Sequence, residues 1–423
     1  MITYLHIRTS LAPIITVHFK SCLAILGFIA FGVGHSTCNS IINYKIHVPL
    51  PFPINPALSA LPVYQPGRPI EEVARELNLP AGDIIKLASN ENPLGPSRAA
   101  LKAMRKALDH VNLYPDGPAF YLREKLAARL GLRPSNLILG NGSNEIIEFL
   151  GHALLSQLST LNSQPVSVPE VLVSQYCFAV YPIVAALFGA KLVVVPAKNY
   201  AHDLDGMLAA ITPNTRLIFV ANPNNPTGTI VRRDDLARFV TAVPENVVLA
   251  MDEAYVEFLD GALDLLPEIR SGRKPNLLLM RTFSKIYGLA GLRVGYGIGH
   301  PDFIAELEKV RQPFNLNAIA QVGALAALDD SAHAEKTRRL TTRGLRLYTR
   351  AFKKLALEFI PSSANFILVR VGDGQRVFNE MQKLGVIVRP MAGYQLPEWV
   401  RISIGTPKEN RRCLEALGRV LGR

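Results

Sequence analysis

The chain holds only four cysteines in 423 residues (Cys22, Cys38, Cys177 and Cys413), and no two form a CxxC pair. That excludes a disulfide-built scaffold and points to a reduced, cytoplasmic setting. Nine histidines include no HxH or HExxH pair, so no metal site is expected. No GxxxxGK[ST] loop occurs, and the glycines at 295, 297 and 299 lack the GxGxxG spacing. No apolar run reaches the ~20 residues of a membrane helix. Basic blocks are also missing: the net charge of +12 is spread along the chain without interleaved aromatics. Neither nucleic acid nor a membrane is therefore expected as a partner, and the charge suits anionic small molecules. Charged residues at 19% and hydrophobic residues at 49% describe an ordinary globular protein.

Acidic residues are absent before Glu71. Residues 1–48 carry only Arg8, Lys20 and Lys45 as charges. The apolar stretch 22–33, with Lys20 ahead of it, half-resembles a signal peptide, but no A-x-A site follows. The stretch reads as an extension outside the fold. Residues 49–56 (PLPFPINP) read as an extended arm.

From about residue 84 the chain alternates apolar runs, polar loops and helical periodicity. Leu137–Leu139, Leu217–Val220, Val247–Met251 and Leu277–Met280 are continuous apolar runs, each followed by a polar cluster. Such runs predict strands buried on both faces of a mostly parallel sheet, with the polar clusters along its carboxyl edge. The fold class is α/β, and ligands of such sheets bind at that edge. Roughly 329–358 reads as charged helix, followed by short strands at 363–371, 385–389 and 400–404. The expected organisation is an extension (1–48), an arm with part of a small domain (49–88), a large domain (89–325) and a small α+β domain (326–423).

Lys285 follows one of these strands beside Thr282 and Ser284. A lysine desolvated there has a lowered pKa and can form a Schiff base, although lysines after strands are often purely structural. Asp252 ends another strand, where a buried carboxylate needs a cationic partner such as a pyridinium nitrogen, or serves as a helix N-cap. Tyr255 lies three residues on. The turn at 140–145 (GNGSNE) offers backbone N–H groups at a helix start, which suits a phosphate. Arg293 is a second candidate phosphate anchor. Together these describe the needs of pyridoxal 5′-phosphate.

The motifs SNENPLGPS (89–97), YPDG (114–117), GNGSNE, NPNNPTG (222–228), DEAYVEF (252–258), TFSKIYGLAGLRVGY (282–296) and RISIGT (401–406) run in one order. In that order they resemble the fold-type-I pyridoxal-phosphate aminotransferases, and among them the histidinol-phosphate aminotransferases. The resemblance spans about 56–422. It implies a large α/β domain with a smaller α+β domain, pyridoxal 5′-phosphate as cofactor, and a homodimer.

Residue by residue, the resemblance implies that Lys285 forms the Schiff base and shuttles a proton. Asp252 would hold the pyridine nitrogen, and Tyr255 and Asn225 the ring 3′-oxygen. Ser284, Arg293, Ser143 and Asn144 would hold the cofactor phosphate, joined by Tyr114 from the neighbouring subunit. Phe178 takes the ring-stacking place, with Tyr176 as the alternative, because QYCFAVY (175–181) departs from the family's P-T-Y-x-x-Y pattern. Arg389 and Arg401 would bind substrate carboxylate or phosphate, with Tyr64 and Asn90 beside them. The implied reaction is reversible amino transfer between histidinol phosphate and 2-oxoglutarate in histidine biosynthesis. The alternatives on the same motifs are an aromatic amino-acid aminotransferase, a threonine-phosphate decarboxylase, and a regulator that borrows the fold; motif spacing does not separate the first two from the implied reaction.

Overall fold

A computed structural model describes residues 67–156 and 167–423, together with Phe52, Leu58 and Leu61. The expectations for residues 1–48, for most of the 49–56 arm and for Tyr64 lie outside the described residues.

The strands are β1 (Ile85–Lys86), β2 (Leu137–Asn141), β3 (Glu170–Ser174), β4 (Lys191–Val195), β5 (Thr215–Ala221), β6 (Val248–Asp252), β7 (Leu277–Thr282), β8 (Val294–Ile298), β9 (Phe359–Ile360), β10 (Phe366–Arg370), β11 (Val386–Ile387), β12 (Arg389–Pro390) and β13 (Trp399–Ser403). Seven of them form one sheet in the order β2-β8-β7-β6-β5-β3-β4. β4-β3-β5-β6-β7 are mutually parallel, and β8 runs antiparallel to both of its neighbours. The sheet is thus mostly parallel with one reversed strand. β2, β3, β6 and β7 are almost wholly buried, as continuous apolar strands under helices on both faces should be. The outermost β4 has exposed positions instead.

On one face, Ile146, Phe149 and Leu150 of the helix Ser143–Leu154 pack with Ile138, Val173, Phe219 and Leu278 of the strands. On the other, Leu122, Leu126, Phe239 and Ala320 pack against Leu139, Ile218, Val220 and Leu279. The helix Ala318–Asp329 belongs to this second layer, with Ala327 and Leu328 buried in it.

A second, antiparallel sheet has the order β12-β13-β10-β9. The helices Ser331–Lys354, Gly374–Lys383 and Pro407–Leu421 supply Tyr348, Phe352, Val377, Cys413 and Leu417 to its core. The pair β1–β11 is parallel and brings Ile84, Leu87 and Ala88 into the same core. Among the described residues no helix is long and apolar enough to cross a membrane, and no cluster of metal-ligating side chains occurs.

Candidate active site

The parallel strands and β2 end at one edge of the large sheet, where the reversed β8 begins. Registers place Ala221 beside Asp252, Asn141 beside Val294, and Thr282 beside Gly295. The loops leaving these ends line a cavity of about 330 Å³. Ser143, Asn144, Phe178, Asn225, Asp252, Tyr255, Ser284, Lys285 and Arg293 all border it, as do Asn90, Arg389 and Arg401.

Asp252 is buried at the end of β6. Its Oδ2 accepts the Tyr181 hydroxyl at 2.6 Å, and its Oδ1 accepts the Ala254 N–H at 3.0 Å. Burial lifts its carboxyl above the usual range, opposed by Tyr181, the Ala254 amide and the charge of Lys285. Tyr181 is held in place by stacking on Phe219, with centroids 4.3 Å apart. The Lys285 amine is pulled down to about 8. Burial is the main cause; the guanidinium groups of Arg401 and Arg293 add to it, while Glu91 and Asp252 oppose it. The amine sits 5.7 Å from the centre of the Tyr255 ring. An amine that ionises at about 8, near a buried carboxylate, can serve as a nucleophile and as a proton carrier.

One corner of the cavity is built for an oxyanion. The helix Ser143–Leu154 starts there, after Gly142 at φ +79°. A Cβ on Gly142 would meet Arg293 Nη2 at 2.3 Å, and one on Gly295 would meet the Ser143 nitrogen at 2.3 Å. Glycine at both positions lets the helix start, β8 and Arg293 converge. Arg293 Nη1 donates to Ser284 Oγ at 3.3 Å, and Thr282 Oγ1 donates to the same oxygen at 3.0 Å. Amide N–H groups, a hydroxyl and a guanidinium together fit a phosphate, and with Asp252 and Lys285 they fit a phosphorylated pyridine aldehyde.

The far wall comes from the smaller sheet. Arg389 and Arg401 stand directly opposite one another across β12 and β13. Like charges in that register cost stability, and an anion in the cavity relieves the cost. Arg401 donates to Asn225 Oδ1 at 2.7 Å and to the Ala88 carbonyl at 3.1 Å, with its guanidinium 5.1 Å from the Phe366 ring centre. Asn90, at φ +54°, donates to the Tyr255 hydroxyl at 3.0 Å and accepts Ser403 Oγ at 2.9 Å.

The structure brings Phe178 to the cavity wall, whereas Tyr176 stacks on Tyr200 at 5.8 Å and is not among the lining residues. Tyr114 lies apart from the cavity, 83% exposed and stacked on Phe314. Sequence reasoning passed over Tyr181, Lys86, Glu91 and Tyr394. Tyr181 could have been found as the last aromatic of the 175–181 stretch, one helical step beyond Phe178. Lys86 and Glu91 could have been found as the charges flanking Asn90.

A family model, Aminotransferase class I and II, matches residues 82–417. The chain belongs to that family. A histidinol-phosphate aminotransferase of Akkermansia muciniphila is 52% identical, over 85% of this chain and 96% of the relative. Histidinol-phosphate aminotransferase 2 of Ralstonia nicotianae is 50% identical, over 85% and 94%. Among solved structures, histidinol-phosphate aminotransferase from Sinorhizobium meliloti in complex with pyridoxal-5′-phosphate is similar with TM-score 0.77 and 27% identity, over 87% of this chain and 97% of that one.

Proposed function

We propose that this chain is a pyridoxal-phosphate-dependent aminotransferase that moves an amino group reversibly between L-histidinol phosphate and 2-oxoglutarate, giving imidazole acetol phosphate and glutamate. The carrying observation is the convergence on one cavity of a lysine that ionises at about 8, a buried carboxylate, an oxyanion corner and two opposed arginines. Relatives at about half identity that bear this activity's name support the choice of substrate.

When bound, the cofactor supplies an aldehyde that takes up the amino group and a ring that accepts the electron pair left when the α-proton departs. Asp252 would pair with the protonated ring nitrogen, and the Tyr181 hydrogen bond favours the ionised form of its carboxyl. Lys285 would hold the cofactor's aldehyde carbon, and its amine would carry the proton. Ser284, Arg293 and the amides at Ser143 and Asn144 would hold the cofactor phosphate. Asn225 and Tyr255 would hold the ring oxygen, and Phe178 would lie against the ring. Arg401 and Arg389 would bind the α-carboxylate of glutamate or the phosphate of histidinol phosphate, with Asn90 beside them.

The active unit in this reading is a homodimer in the cytoplasm. Its support is Tyr114, which its own cavity leaves exposed and which would reach the phosphate corner of the neighbouring subunit. The large domain, which runs through the helix Ala318–Asp329 rather than ending at 325, would carry the cofactor, and the small domain, from the helix Ser331–Lys354 onward, would carry the substrate arginines.

The test is an assay of the full chain with 2-oxoglutarate and either histidinol phosphate or phenylalanine, comparing kcat/KM. Preference for histidinol phosphate is expected. Preference for phenylalanine would replace the reading with an aromatic aminotransferase.

A further inference from the structure

Two charged residues of the cavity wall have no part in the chemistry above. Lys86 sits on β1, and Glu91 follows in the next loop. Lys86 Nζ and Glu91 Oε1 are 3.0 Å apart, with side chains 21% and 45% exposed. Among the described lining residues the carboxylates are Asp252 and Glu91. Asp252 is buried and bound to Tyr181, so Glu91 is the cavity carboxylate within a substrate's reach.

A transaminase of the proposed kind must admit two side chains with opposite needs. Histidinol phosphate ends in an imidazole, which presents a ring N–H and gains a positive charge near neutrality. Glutamate and 2-oxoglutarate end in a carboxylate. A fixed carboxylate in the wall would repel the second ligand, and a fixed cation would repel the protonated first. A pair that is neutral when closed, and can open toward either ligand, serves both.

We propose that the Lys86–Glu91 pair reads the distal end of each substrate in turn: Glu91 accepts the ring N–H of histidinol phosphate, and Lys86 binds the distal carboxylate of glutamate or 2-oxoglutarate. This rests on the substrate pair proposed above. Partly exposed ion pairs hold together weakly, so opening this one for a ligand costs little. The backbones beneath it are firmly placed. β1 is paired with β11, opposing Lys86 to Ile387. Glu91 lies between two anchored asparagines. The Asn90 N–H donates to Ser403 Oγ at 2.8 Å, and Asn92 Nδ2 donates to the Ile286 carbonyl at 2.9 Å and to Thr337 Oγ1 at 3.1 Å. Only the side chains need to move. Glu91 and Lys285 line the same cavity, and the charge of Glu91 raises the affinity of the Lys285 amine for its proton.

The experiment measures both half-reactions of the full-chain holoenzyme by its visible absorbance, with histidinol phosphate and with glutamate, for the wild type, Glu91→Gln and Lys86→Met. The readout is the ratio of kcat/KM for histidinol phosphate to that for glutamate. Glu91→Gln is expected to lower the ratio about tenfold and Lys86→Met to raise it about tenfold, the scale of one charged hydrogen bond. A ratio unmoved in either variant, or moved the same way in both, overturns the proposal. Binding of L-histidinol by calorimetry gives a second reading, weakened by Glu91→Gln if the ring contact exists and unchanged if it does not. A wild type inert toward histidinol phosphate would instead overturn the functional reading.

Discussion

Tyr181 donates a hydrogen bond from its hydroxyl to Asp252 across 2.6 Å, from a fully buried position behind the cavity that Asp252 borders. The helix Val180–Leu187 and strand β6 are thereby joined at the one carboxylate that the site has buried. Burial pushes that carboxyl upward and the tyrosine pulls it back.

Tyr181→Phe should therefore raise the Asp252 carboxyl further. The ionised form would then be lost at higher pH, so the acid limb of kcat/KM for the loaded enzyme should move upward. Stability should fall by about 1.5–3 kcal/mol, the range for a hydrogen bond to a charged group. A pH titration and a denaturant melt check both; an acid limb that stays in place would separate Tyr181 from the chemistry.

Lys285→Met should abolish the visible band of the loaded protein and cut amino transfer by at least about 10²–10⁴. In the cofactor-free protein it should be stabilising. The folded amine ionises at about 8 against 10.5 ordinarily. The folded state therefore holds this proton less tightly than the unfolded chain does. That penalty, about 3 kcal/mol, is full below pH 8, shrinks between pH 8 and 10.5, and is gone above. Urea melts of the two cofactor-free proteins at pH 7 and pH 10.5 would measure it, and equal stabilities at pH 7 would refute it.

Arg401→Lys keeps the charge but loses the fork that reaches Asn225 and the Ala88 carbonyl. KM for glutamate should rise about 10–100-fold, corresponding to about 1.5–3 kcal/mol of charged hydrogen bonding, with a smaller change in kcat. An unchanged KM would remove Arg401 from carboxylate binding.

Gly295→Ala would set a methyl 2.3 Å from the Ser143 nitrogen and force the helix start away from β8. Stability should drop by about 1–3 kcal/mol, and cofactor affinity should drop with it. Gly82→Ala, where a methyl meets nothing within 4 Å, is the matched control and should stay within about 0.5 kcal/mol. Thermal melts and cofactor titration distinguish the two.

Much of the site was legible because its residues sit where apolar runs stop. Asp252 and the Ser284–Lys285 step follow strands so uniformly hydrophobic that the change to polar residues marks the sheet edge. Three features were hidden for physical reasons. β1 is only Ile85–Lys86, too short for any periodicity, so the pattern did not place Lys86 on a strand, and its nearness to Asn90 was the one signal it carried. Arg389 and Arg401 face each other through an antiparallel register that spacing alone does not encode. The direction of β8 was also silent, because VGYGI, buried on both faces, reads the same for either orientation.

That reversed strand has a further consequence. β7 arrives at the sheet edge and β8 leaves from it, so Lys285 and Arg293 occupy a single connection between neighbouring strands. In the reading proposed above, the amine and the guanidinium that would hold the two ends of the cofactor are spaced by that one loop. Their separation would then be set by a span of backbone pinned at both ends by the paired strands β7 and β8, without recourse to the smaller sheet.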